Sequence, residues 1–327
     1  MALRTVKHLS SKEIEGLQAN EIVLKANPNR WVMFPIKHDS FWAMYKEVEN
    51  NFWAAEDFIF SEDKEVLDRL DKVLLDALNK VLSYHIMLDN NVKCRPSAIT
   101  LDLLSDVQVP EARAFYGFQL TDENIHSETV GSMFQTLAAS LDSKSGSDKI
   151  SWLHKNVIET KSFFKRVLLM LISKLVFSAS FGIIRDFIVK EKIIPTYALA
   201  LDAIESDQHI HARFAFCLFE LMENRMLESE VLSLINEVKE LEIAFCLSSL
   251  PLEFMKLQKD HITSYVESRL NQVLLVSGYK AIFKPDLDVD WINEFSVDLN
   301  IQLNISKPSI QHDIEHFEQE IKFDEDF

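Results

Sequence analysis

Residues 167 to 184 read VLLMLISKLVFSASFGII, eighteen positions in which the only charged side chain is Lys174, at the centre. Such a run is long enough to lie across most of a bilayer. An ammonium at mid-membrane is costly, and no second apolar span accompanies it. The run is therefore expected as a helix apolar on all sides, enclosed by other helices of a large bundle. Only 6 Gly and 8 Pro occur in 327 residues, which suits long helices and disfavours a turn-rich β architecture. The expected fold class is all-α.

Apolar spacing predicts helices over 40–58, 63–90, 111–141, 151–192, 197–226 and 229–249, with Ser229 as an N-cap, and a last one ending near Gly278. Residues 1–35 are expected as an irregular lead-in, and 91–110, with Pro96 and Pro110, as an interruption. The body is placed at 36–300. From 301 to 327 the chain is poor in aliphatics and rich in acid, so a flexible tail is expected. A net charge of −17 argues against a nucleic-acid partner, which needs a cationic face. Cys94, Cys217 and Cys246 form no C-x-x-C pair, and they point to a reducing, cytoplasmic setting.

Three apolar stripes carry polar residues where a core is expected. Asp89 continues Leu75, Leu78, Leu82 and Ile86. Glu123 and His126 share a stripe with Val130, Met133 and Leu137. Gln208 and His211 lie among Leu201, Ile204, Ala215 and Leu218. Burying such groups costs several kcal/mol unless they are paired or ligated, on the order of 2–7 for an uncharged one. Carboxylates with Glu-x-x-His on facing helices are how ferritin-like bundles hold two metal ions. An ordinary salt-bridged pair is the competing reading of a lone Glu-x-x-His.

The segments RWVMFPIKHDSFWAMYK, FWAAED, RAFYGFQLTDENIHSE, FSASFGII and the closing FDEDF occur in the order found in the small subunit of class I ribonucleotide reductase. The chain resembles that family from about Arg30 to Phe327. The resemblance implies a ferritin-like bundle with a dinuclear metal centre, a tyrosyl radical, and transfer of that radical to a large subunit. It places metal ligands at Asp89, Glu123, His126 and His211, with two further carboxylates expected where this chain has Ser173 and Gln208. The radical tyrosine is expected at Val130, which has no phenol to oxidise. Trp53 and Asp207 take the places of the family's relay pair, although no tyrosine follows Tyr279. Tyr84 and Tyr116 are the other tyrosines weighed as radical sites.

With two of the carboxylates gone, a normal dinuclear centre is not expected. Iron is expected as one ion at most, on Asp89, Glu123 and His126, or else no metal at all, with the Lys174 ammonium in the vacated position. The resemblance also implies that the FDEDF end, through Phe323 and Phe327, docks on the large subunit. The expected function is a non-catalytic small subunit, paired with a complete, radical-bearing one or with itself. The alternative is a ferritin-like mononuclear oxidase or metal-handling protein.

Overall fold

The computed structural model describes residues 6–27, 30, 32–293 and 296–299. Phe323, Phe327 and the rest of the expected tail lie outside these. In chain order the elements are β1 Lys7–Leu9, α1 Ser11–Leu17, α2 Asp39–Asn50, α3 Lys64–Leu67, α4 Lys72–Asp89, α5 Pro96–Asp106 and α6 Pro110–Leu137. Then come α7 Ser147–Glu159, α8 Phe163–Leu171, a π-turn Ile172–Val176, α9 Ala179–Glu191, α10 Pro195–Leu221, β2 Asn224–Met226, α11 Glu228–Ser249, α12 Leu252–Met255 and α13 Lys259–Val276. This is an all-α, ferritin-like bundle. α6 sits at its middle, flanked by α2, α4 and α5, while α9 packs on α10 and α11 on α13.

Several expected boundaries shift, each for an identifiable reason. The 91–110 stretch is not an interruption, because Pro96 and Pro110 each stand in the first turn of a helix, where a missing N–H is harmless. Pro195 opens α10 in the same way. The lead-in is also ordered. Ser10 and Glu13 form a capping box for α1, and β1 pairs in parallel with β2, Lys7 opposite Asn224. Buried Glu21 accepts the N–H groups of Glu223 and Asn224 at 2.8 and 2.9 Å, which ties the lead-in to the end of α10. Asp71 restarts the helical path at α4 by accepting the Val73 N–H. Ser229 is not a cap; α11 begins at Glu228 after Leu227. Gly278, at φ +83°, follows α13 as expected.

The expected helix over 151–192 is three helical pieces and a π-turn, and that turn positions the site. From Val167 to Ile188 every residue is buried inside the bundle. At its centre the Phe177 N–H reaches back five residues to the Ile172 carbonyl, 3.0 Å. The carbonyls around the turn find side-chain donors. Lys149 Nζ donates to Phe177 O at 2.9 Å, Arg269 Nη1 to Leu175 O at 3.0 Å, and Ser178 Oγ to Lys174 O. Lys149 is itself neutralised by Glu242 at 2.6 Å and lies 3.7 Å from the centre of the Tyr84 ring. Two buried cations thus hold the segment that presents Ser173 and Lys174.

Gly182, in the first turns of α9, belongs to the same clamp. A Cβ there would run into the Tyr265 hydroxyl and the Arg269 guanidinium. Gly182→Ala is therefore expected to destabilise the fold by about 1–3 kcal/mol, despite alanine's better helix propensity. Urea unfolding checks this; a neutral or stabilising result would mean that Arg269 is free to move aside.

Candidate functional site

α4, α6, the π-turn and α10 bring the expected residues around one small cavity of about 50 Å³. Asp89, Glu123, His126, Val130, Ser173, Lys174 and Gln208 all line it. His211, on the same face of α10 as Gln208, is fully buried nearby, its ring centre 6.4 Å from that of His126. The three polar stripes do converge, as α-helical spacing requires of residues three and four apart.

Lys174 decides the character of this cavity. Its Nζ lies 2.6 Å from Glu123 Oε1, and both side chains are buried. The same oxygen accepts from the Thr100 hydroxyl at 2.8 Å and from Gln119 Nε2 at 3.0 Å. Glu123 Oε2 has no partner. Asp89 takes a hydrogen bond from Ser127, yet burial dominates and raises its carboxyl to about 6.

The two histidines are engaged by carboxylates. His126 Nε2 lies 2.8 Å from Asp207 Oδ2, and that oxygen also accepts the Trp53 indole N–H at 2.9 Å. Trp53 and His126 stack with ring centres 5.6 Å apart and planes 18° from parallel. The structure thus joins Trp53 to Asp207 and His126. His211 Nε2 lies 3.1 Å from Asp122 Oδ2, and its Nδ1 has no partner. Burial, reinforced by the Asp207 charge, pushes Asp122 up to about 8. Burial, followed by Lys174 and His126, holds His211 well below its usual value. A neutral Asp122–His211 pair is the consequence near pH 7.

Asp122 has a measurable linkage. Its pKa rises from the usual 3.8 to about 8 on folding, so its contribution is fully present below pH 4 and is lost as pH rises through 8. Stability is expected to fall over that window by a few kcal/mol, at about 1.4 per pKa unit before relaxation. Asp122→Asn should flatten the decline between pH 6 and 8 in urea titrations. An unchanged slope would mean that the carboxyl ionises freely.

Asp122, Gln119 and Thr100 are site residues that the stripes of the sequence do not single out. Phe115, Gln119, Asp122 and His126 form a second column beside Glu123 and Val130, a pattern readable at i, i+4, i+7. Thr100 carries no such signal, because α5 lies in the stretch expected as an interruption. Tyr84 and Tyr116 are both buried, but neither lines the cavity.

These residues do not fit the two-ion centre that the family resemblance implies. Ser173 and Gln208 stand where carboxylates are required, and an ammonium already neutralises Glu123. Among the described residues no group of three His, Cys, Asp or Glu side chains is arranged to hold a metal. Of the residues expected to hold a single ion, Asp89, Glu123 and His126 all line the cavity, with His126 Nε2 held by Asp207 and Glu123 Oε1 by Lys174.

Residues 30–290 match the family described as "Ribonucleotide reductase, small chain". The ribonucleoside-diphosphate reductase small chain of Nicotiana tabacum is 27% identical over 289 residues, covering 85% of this chain and 87% of that one. Subunit M2 of the same enzyme from Danio rerio is 29% identical over 308 residues, covering 88% and 77%. In fold, the Rnr4 homodimer from Saccharomyces cerevisiae gives a TM-score of 0.76 at 23% identity, over 94% of this chain and 96% of that one. The dimanganese(II)-NrdF of Streptococcus sanguinis gives 0.62 at 17%, over 82% and 96%. With its bundle, its converging stripes and a family match that spans most of its length, this chain belongs to the ribonucleotide reductase small-chain family.

Proposed function

We propose that this chain is a non-catalytic small subunit of ribonucleotide reductase, which pairs with a complete, radical-bearing small subunit and docks on the large subunit through its C-terminal end. The observation that carries this reading is the Lys174–Glu123 ion pair in the cavity beside Val130. A stable tyrosyl radical needs a phenol at the Val130 position and oxidising metal ions beside it. The cavity offers a valine and an ammonium instead. Trp53, Asp207 and His126 are in contact, but nothing at this site feeds them an oxidising equivalent. What the chain retains is the shape of a small subunit and the FDEDF terminus. Three buried, unpaired cysteines fit a cytoplasmic setting.

The test is reconstitution with a large subunit and a complete small subunit of the family. This chain with the large subunit alone should give no deoxyribonucleotide above background. Added to the complete small subunit, it should form a heteromeric pair and raise the radical content or turnover per complete chain. Absence of both a heteromer and any change in activity would reject the proposal.

A further inference from the structure

In a chain with a net charge of −17, a cleft beside the start of α6 carries basic side chains and no acidic one. It has a volume of about 430 Å³ and lies where the lead-in passes the α5–α6 connection. Lys25, Arg30, Lys37 and His38 line it, and no Asp or Glu does among the described residues. Ile22 and Val109 give it an apolar wall. A volume of this size falls among the clefts of roughly 300–1,000 Å³ that take small molecules.

Glu111, in the first turn of α6, holds the cleft in shape from beneath. Its buried carboxylate accepts from Arg30 Nη1 and Nη2 at 2.8 and 2.6 Å and from the Lys37 N–H at 2.8 Å. The Gln108 N–H makes a second tie, to Val23 O at 2.9 Å. Burial opposes the Glu111 charge, but the Arg30 and Lys37 donors outweigh it and lower the carboxyl to about 2. Glu111 therefore stays ionised and offsets one of the three cations, which leaves a surplus of two positive charges. Among the described residues neither the Lys25 nor the Lys37 ammonium has an ion-pair partner. The Arg30 side chain is only 7% exposed, and its Nε–H has no acceptor. A buried donor left without an acceptor is costly, so this one points to a ligand that supplies it.

We propose that this cleft binds a small phosphate monoester, its phosphoryl group accepting from Arg30 Nε and the two ammonium groups, its organic part against Ile22 and Val109. A phosphate monoester carries a charge of about −1.5 to −2 at pH 7 and three acceptor oxygens, which matches the surplus charge and the three donors. Guanidinium and ammonium groups are the usual partners of such oxygens. A carboxylate, with one charge, would leave half of the surplus uncompensated. The inference stands apart from the functional reading above, since it involves neither a metal nor a partner subunit.

Isothermal titration of the full-length protein with phenyl phosphate at low salt tests this. The natural protein should bind one phenyl phosphate per chain, more weakly as NaCl is added. Benzoate should bind at least ~10-fold more weakly. Lys25→Ala with Lys37→Ala, both at exposed positions, should weaken phenyl phosphate binding at least ~10-fold with unchanged circular dichroism. Arg30→Lys keeps a cation beside Glu111 but removes the Nε–H, and it should weaken binding as well. Lys93→Ala, at an exposed lysine that does not line this cleft, should leave binding unchanged. No binding by the natural protein, undiminished binding by either folded cleft variant, or a loss as large in Lys93→Ala would each overturn the proposal. So would a synthetic IKFDEDF peptide that bound this cleft more tightly than phenyl phosphate, because the cleft would then be a dock for an acidic chain end.

Discussion

Lys174→Met is expected to lower the free energy of unfolding by about 3–5 kcal/mol, the usual cost of removing one partner of a buried ion pair. The ammonium is the only cation within 4 Å of Glu123 among the described residues, and the carboxylate is buried. Thr100 and Gln119 would still donate to Glu123 Oε1, but neither carries charge. Lys174→Met with Glu123→Gln should recover most of the loss, because an amide needs no counter-ion and can keep the Thr100 bond. Urea unfolding of the two variants separates these outcomes. A loss below about 1 kcal/mol for Lys174→Met would mean that the pair is solvated like a surface one.

The second large effect is a gain. Ser173→Glu, Lys174→Gly and Gln208→Glu together should convert the cavity into one that holds about two divalent ions. The change removes one positive charge and adds two negative ones, giving four carboxylates with Asp89 and Glu123. Two donor atoms already stand buried and unpartnered for such ions: Glu123 Oε2 and His211 Nδ1. Elemental analysis after dialysis against Fe(II) or Mn(II) should show about two ions per molecule of the triple variant and far fewer than one for the natural protein. Without metal the triple variant should be the less stable of the two, since four carboxylates crowd one cavity. If the triple variant bound no metal, the π-turn would have to hold residue 173 away from the cavity once Lys174 is gone.

Long, strongly periodic segments are readable from the residues alone, and so is the convergence of their polar positions. Asp89, Glu123 and His126 sit on spacings of three and four among apolar residues, and helical geometry leaves them one place to go. Lys174 is readable for a related reason: a charge inside eighteen otherwise uncharged positions must find a partner. What periodicity cannot supply is the π-turn, because one extra residue rotates everything after it without altering the composition. The donors that hold this turn, Lys149 and Arg269, come from helices distant in sequence. Proline misleads where it starts helices, at Pro96 and Pro110, and this hides α5 and with it Thr100. Asp122 is masked by Glu123, its neighbour, because the stripe through Glu123 leaves Asp122 on the column beside it.

The most direct test is to load the natural protein with Fe(II), expose it to oxygen, and record iron content and the electron paramagnetic resonance spectrum together. With an ammonium on Glu123 and a valine at position 130, iron should stay well below one per molecule and no phenoxyl signal should develop. Two irons per molecule, with a coupled cluster and a tyrosyl signal from this protein by itself, would contradict that directly.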